Sequence, residues 1–227
     1  MRAIVPFALV VTAVSSYLAF SVDPSKRVLF WLLSAGPSAA LGAVAAGWAW
    51  REELLGEWLR PRAGDFTRGL AGALLLFFVA WAFARVFLPV GSAREIWLVS
   101  LYSRIGDPRG LQSHGPLVAV VIGTSAAGEE LLWRGVVTHV LAARVGSRAA
   151  WVWSSSLYAI AYWPTLLALK GGGSFNPLIA LLAVGGGFLW GAMARVFGRL
   201  VPGILAHALF DWAVVMMLPL WGTVWQR

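Results

Sequence analysis

The sequence predicts an all-α fold, a polytopic transmembrane helix bundle of about seven spans with one or two interfacial helices. Two observations carry that prediction. Of 227 residues, 59% are hydrophobic and 12% are charged, about half the charged share of a soluble domain. The mean hydropathy is +0.76, and the apolar residues fall in long blocks, each sized to cross a bilayer as a helix. One bundle accounts for the whole length, so residues 1–227 are read as a single membrane domain.

The blocks are taken in order. The first, 4–21, follows Arg2 and lacks a small-residue cleavage site, so it is read as a retained helix rather than a signal peptide. The second is 28–50. An amphipathic stretch with Pro61, residues 51–66, is expected to lie at the interface before the third block, 70–90. Residues 93–105 carry Trp97, Leu98, Leu101 and Tyr102 among polar neighbours and read as a second interfacial helix. The fourth block, 116–145, is long enough to tilt. The last three are 149–169, 177–196 and 200–221. Lys170 to Ser174 is a glycine-rich loop.

Composition excludes several functions. There is no cysteine, hence no disulfide, thiolate metal site or cysteine nucleophile. The net charge of +8 does not indicate nucleic acid, because the arginines stand at block ends, where they anchor helices to anionic headgroups. Arg51, Arg60, Arg62 and Arg68, then Arg144 and Arg148, then Arg195 and Arg199 mark three loops. The positive-inside rule puts these loops and the N-terminus in the cytoplasm. The excess of arginine over lysine, with abundant Ala and Gly, suggests a bacterial source and the bacterial inner membrane.

The chemistry stands inside the apolar blocks, where ionisable groups are costly and functional by default. Glu129 and Glu130 are adjacent in the fourth block, and Arg134 follows one turn after Glu130. The i, i+4 spacing puts Glu130 and Arg134 on one helix face as an ion pair. Glu129 points about 100° away. It is expected to lack that cation and to be suited to taking a proton from water. In the last block His207 and Asp211 share a face, fit to relay protons, hold a metal or donate to an oxyanion. Tyr158 and Tyr162 share a face of the fifth block behind Ser154, Ser155 and Ser156, a pattern more typical of packing. At about 1.5 Å per residue, Glu129, Tyr162, His207 and Asp211 reach similar depths and can converge in one cavity. His139 lies too far along its helix, and His114 lies in a loop; both are read as structural.

Glu129-Glu130-Leu131-Leu132-Trp133-Arg134-Gly135 resembles the first motif of the CAAX prenyl protease and bacteriocin-processing family, also called the Abi family. His207 and Asp211 match its third motif, His-x-x-x-Asn/Asp, and Arg199 to Ala206 resembles the lead-in. The resemblance spans roughly 117–215, so 116–221 is expected to be the catalytic core. It implies an intramembrane endopeptidase of glutamic type. Glu129 would be the general base, Glu130 and Arg134 a brace, and His207 and Asp211 the groups that steady the tetrahedral intermediate. The second motif, Phe-x-x-x-His, reads Tyr158-Ala-Ile-Ala-Tyr162, so Tyr162 replaces the histidine. A phenol is a poor base but can orient water.

The expected function is cleavage of a membrane-associated protein or peptide near a C-terminal tail, with surface-protein sorting as one setting. The partners are that substrate and the lipid bilayer. No cofactor is expected, and the divalent metal of older family descriptions is the alternative. A second reading is an inactive member acting as scaffold or immunity factor. A third, an ion-coupled carrier, would need repeats or broken helices, and the sequence displays neither.

Overall fold

A computed structural model describes residues 3–169 and 175–217, with the side chains of Arg109 and Met217 left out. The Lys170–Ser174 loop and the end of the seventh block lie outside the described residues. Twelve helices run α1 (Ile4–Ser21), α2 (Arg27–Arg51), α3 (Leu55–Trp58), α4 (Asp65–Phe87), α5 (Glu95–Ile105), α6 (Pro108–Gln112), α7 (Gly115–Glu130), α8 (Thr138–Val145), α9 (Ser147–Ala161), α10 (Thr165–Ala168), α11 (Leu178–Phe197) and α12 (Val201–Trp212). A π-helical segment, Leu131–Val137, joins α7 to α8, and a second, Ala213–Met217, extends α12.

The helical membrane bundle is as expected, but the span count changes. Among the described residues five helices are long and apolar enough to cross a membrane: α1, α2, α4, the continuous Gly115–Val145 and α11. Of the remaining two expected spans, the fifth is shorter and the seventh is described only as far as Met217. Val201–Met216 is an apolar helix below spanning length. The fifth block is broken into the 15-residue α9 and the single turn of α10, because Pro164 has no N–H to continue the ladder. Tyr162 and Trp163 instead donate three residues back, to the carbonyls of Ala159 and Ile160 at 3.1 Å each, a tightened last turn. The break sets Tyr162 at the end of α9. The interfacial piece at 51–66 is also shorter than expected, a single turn, and Glu53 before it has a left-handed φ of 58°. The other interfacial helix is α5, whose Leu98, Leu101, Tyr102 and Ile105 are buried against the bundle.

Two of the arginine-bearing loops meet at one end, the one before α4 and the one before α12. Asp65, at the start of α4, pairs with Arg199 before α12 and accepts the Arg62 N–H at 2.8 Å. Asp65 holds the Arg199 guanidinium above its ordinary range, chiefly through that hydrogen bond. The Leu200 N–H donates to the Trp58 carbonyl at 2.9 Å.

Side chains from α1, α2, α4, α8, α9, α11 and α12 and the first π segment build one core around Trp133, Tyr158, Trp190 and Phe210. A second core, at the α5 end, gathers Phe20, Phe30, Tyr102 and Ile122. Between them α2 crosses α7 at backbone contact. A Cβ on Gly42 would strike the Gly128 Cα, and one on Gly128 would strike the Ser38 carbonyl. Small residues permit that approach, and it fixes α2 against the turn that carries both glutamates. Pro37 leaves α2 without one backbone donor, and Ser34 and Ser38 bond back to the Trp31 and Ser34 carbonyls at 3.3 Å each.

Candidate active site

The two adjacent carboxylates have different surroundings. Glu130 is fully buried. Its Oε1 lies 3.2 Å from Arg134 Nη1 and 3.0 Å from His207 Nδ1. Arg134 Nη2 also donates to the Gly187 carbonyl at 2.9 Å, and its guanidinium lies 4.4 Å over the Tyr158 ring. The pair therefore ties the first π segment to α11 and α12. The expected i, i+4 pairing of Glu130 with Arg134 is present.

Glu129 faces the other way, away from the Arg134 cation, and its partners are hydroxyls. Its Oε2 accepts from the Tyr158 hydroxyl at 2.8 Å. Its Oε1 accepts from the Tyr162 hydroxyl at 2.9 Å and from Ser38 Oγ at 3.1 Å. Three neutral donors thus converge on one carboxylate, and among the described residues no cation pairs with it. Tyr158 serves here as a donor rather than as packing alone.

The π turn helps explain how α7 presents the two acids. The Thr138 N–H reaches back five residues to the Trp133 carbonyl. That carbonyl also accepts Ser154 Oγ at 2.6 Å and Thr138 Oγ1 at 2.8 Å. Segments of this kind are common at functional sites. Ser155 Oγ meets the same Gly187 carbonyl that Arg134 holds, at 2.8 Å.

His207 stacks on Trp190, with ring centres 3.6 Å apart and planes 14° apart. Its Nδ1 faces Glu130, and its Nε2 lies 3.5 Å from Asp211 Oδ2. So His207 pairs directly with Glu130 rather than with Glu129. The reason is that Glu130 lies on the α12 side of α7, while Glu129 points toward α2 and α9.

Glu129, Tyr158, Tyr162, Ser38, His207 and Asp211, among others, line one cavity of about 210 Å³. The convergence expected from depth is therefore present for Glu129, Tyr162, His207 and Asp211. Glu130 and Arg134 stand behind the wall. His139 packs edge-on against Trp48 with ring centres 5.5 Å apart, and His114 sits beside Ser113, both away from the cavity. Sequence reasoning missed Ser38 and Trp190. The polar Ser34 and Ser38 flanking Pro37 in an apolar helix, and the Gly185-Gly186-Gly187 run before Trp190, are the signals that could have found them. Among the described residues no three of His, Asp or Glu converge in a metal-holding geometry.

No curated protein and no solved structure matches the chain significantly. Residues 112–213, which include the two carboxylates, the tyrosines and the His207–Asp211 turn, match the family model described as type II CAAX prenyl endopeptidase Rce1-like. Over that segment, a little under half of the chain, it is similar to the CAAX prenyl protease and bacteriocin-processing family, a family of intramembrane proteases, and the described helices are those of a multi-pass membrane bundle.

Proposed function

We propose that the chain is an intramembrane endopeptidase that cleaves a membrane-associated protein or peptide near a hydrophobic C-terminal tail. Its setting is the bacterial inner membrane, with surface-protein sorting as the finer role. The observation that carries this reading is Glu129. It is a carboxylate in the wall of a hollow inside a membrane bundle, held by three hydroxyls.

The reaction follows from those neighbours. Glu129 takes a proton from a water as the water oxygen bonds to the scissile carbonyl carbon. Tyr162, Tyr158 and Ser38 hold the carboxylate in one orientation, and the phenol of Tyr162 orients the water in place of the motif-two histidine. The carbonyl oxygen gains negative charge, and an N–H of His207, set by Glu130 and Asp211, steadies it. The carbon–nitrogen bond then breaks, and Glu129 returns its proton to the leaving amine. The products are a new carboxylate and a new amine. Glu130 and Arg134 brace the helix and the imidazole, and residues 116–221 act as the catalytic core without a metal.

Glu129→Gln tests this. Membrane-protein termini are compared by mass spectrometry in cells carrying wild type, the variant or no gene. Loss of processed termini in the variant at normal expression is the expected result. Processing that persists would refute it. A second reading, a non-catalytic scaffold or immunity factor, draws support from Tyr162, which donates where the family motif has a histidine. It requires that Glu129→Gln leave the phenotype intact.

A further inference from the structure

Trp190 is buried on α11 beside three groups of the site. One face of its indole lies parallel to His207, with ring centres 3.6 Å apart and planes 14° apart. Tyr158 meets it edge-on with centres 6.4 Å apart, and the Arg134 guanidinium carbon stands 5.5 Å from its centre. A buried indole N–H usually finds a hydrogen-bond partner. The Nε1 of Trp190 makes no hydrogen bond among the described residues, so the ring is placed by its faces and edges. Gly186, one turn earlier on α11, seats it. A Cβ at Gly186 would come within 2.5, 2.7 and 3.0 Å of Cη2, Cζ3 and Cζ2 of the indole. The benzo edge thus fills the space that a side chain at position 186 would take.

His207 is the group whose orientation matters most to such a neighbour. Its Nδ1 faces Glu130 at 3.0 Å and its Nε2 faces Asp211 at 3.5 Å. The torsion that sets the imidazole plane, about Cβ–Cγ, is broad and roughly twofold, so the side chain alone fixes it weakly. Glu130 is buried and paired with Arg134, which holds the Nδ1 end. Asp211 is partly exposed and lies farther away, so it holds the Nε2 end less firmly. A turn about Cβ–Cγ swings the ring out of its plane and carries both nitrogens off their partners. On one face that swing is closed by the indole, which lies in parallel contact. A protonated imidazole also gains from the negative face of the π system.

We propose that Trp190 is a positioning residue whose stacked indole holds the His207 ring in the plane that keeps Nδ1 on Glu130 and Nε2 beside Asp211. This rests on the reading of His207 as the group that steadies the carbonyl oxygen, and it names the residue that aims it. Trp190 acts through the imidazole and not on the reacting atoms. Gly186 belongs to the same device, because its missing side chain lets the indole lie where it meets His207.

The test combines a spectrum with a rate. The full chain is labelled at its three histidines and studied by NMR in detergent. Protons over an aromatic face are shielded, so the His207 ring signal should lie upfield of that of the exposed His114. It is identified by elimination, with His114→Gln and His139→Gln. Gly186→Ala keeps the indole but pushes it off the imidazole, and should move that signal downfield. The rate is Glu129-dependent processing in cells, corrected for the amount of folded protein. Trp190→Phe and Trp190→Leu both leave a smaller apolar side chain, but phenylalanine keeps an aromatic face. Trp190→Leu should be about 3- to 30-fold slower than Trp190→Phe, the range of one stacked or cation–π contact. Equal rates for these two variants, or a His207 signal unmoved by Gly186→Ala, would overturn the proposal. Equal rates with processing still dependent on Glu129 remove this inference alone. Where no processing depends on Glu129 the protease reading falls, and the His207 signal still decides whether the indole sets the ring.

Discussion

Replacing Gly128 with alanine tests the architecture of the site without touching a polar side chain. The added Cβ would overlap the Ser38 carbonyl oxygen, stand 2.8 Å from the Ser38 carbonyl carbon and 3.3 Å from the Ala39 nitrogen. All three are backbone atoms, so no rotamer change relieves the overlap, and α2 must move away from α7. Overpacking of this kind costs about 1–3 kcal/mol. Alanine recovers about 0.5–1 kcal/mol as the better helix former. The net loss against wild type is about 0–2.5 kcal/mol, and against a control that gains the same helix propensity it is about 1–3 kcal/mol, or roughly 2–12 °C in melting temperature at about 2–4 °C per kcal/mol. The Ser38–Glu129 hydrogen bond, already 3.1 Å, would be lost in the same movement. Gly123→Ala is the control, one and a half turns earlier on the same helix, with nothing within 4 Å of its Cβ. Melting of the two purified variants in one detergent, followed by intrinsic fluorescence, decides the matter. If Gly128→Ala is as stable as Gly123→Ala, the backbone contact between α2 and α7 is wrong, and so is the placement of Ser38.

Tyr162→Phe removes one donor from Glu129 and should slow substrate processing about 10- to 100-fold, from the roughly 1.5–3 kcal/mol of a hydrogen bond to a charged group; pulse-chase of a processed membrane protein measures it. Tyr162→His restores the motif-two residue and should raise the rate. A fall would show that the phenol has its own role. Arg134→Met leaves Glu130 as a buried charge without its cation, a loss of about 3–5 kcal/mol, and should prevent recovery of monodisperse protein by size-exclusion chromatography. Adding Glu130→Gln removes the stranded charge and should restore most of the yield; no restoration would mean that Arg134 acts chiefly through the Gly187 carbonyl and the Tyr158 ring.

What could be read from the sequence was what a helix repeats locally. Glu130 with Arg134, and His207 with Asp211, are one turn apart, and one-turn spacing fixes a shared face in any helix. Depth along the helices also followed from rise per residue alone. Contacts between distant segments did not. Ser38 is 91 positions from Glu129, and nothing in the pattern of α2 says which way its polar face turns. That direction is set by Gly42 and Gly128 meeting backbone to backbone, a pairing that becomes visible only when both helices are in place. The shortening of α9 was signalled by Pro164, but an apolar count that runs through proline treats 149–169 as one span. The π segment left no mark in the apolar pattern, because Leu131, Leu132 and Trp133 are buried on every side.

Two adjacent glutamates in hydrocarbon raise the question of why one would not suffice. Their partners supply an answer. A carboxylate that anchors a guanidinium and an imidazole at once, as Glu130 does, is held too firmly to exchange protons with water in a catalytic cycle, since each protonation would strand Arg134. A carboxylate ringed by neutral hydroxyls, as Glu129 is, leaves no cation stranded when it takes up a proton, because phenols and serine hydroxyls can reorient to accept as well as donate. The α-helix separates adjacent side chains by about 100°, which is enough to give one acid to the α11–α12 side and the other to the cavity. Exchanging the two environments is therefore not equivalent to exchanging the residues. Glu130→Gln should impair folding and the His207 orientation, while Glu129→Gln should leave the fold and remove the reaction. Hydrogen exchange on α12 against processing rate separates the two variants. If both lose the same quantity, the division of labour between the adjacent acids is refuted.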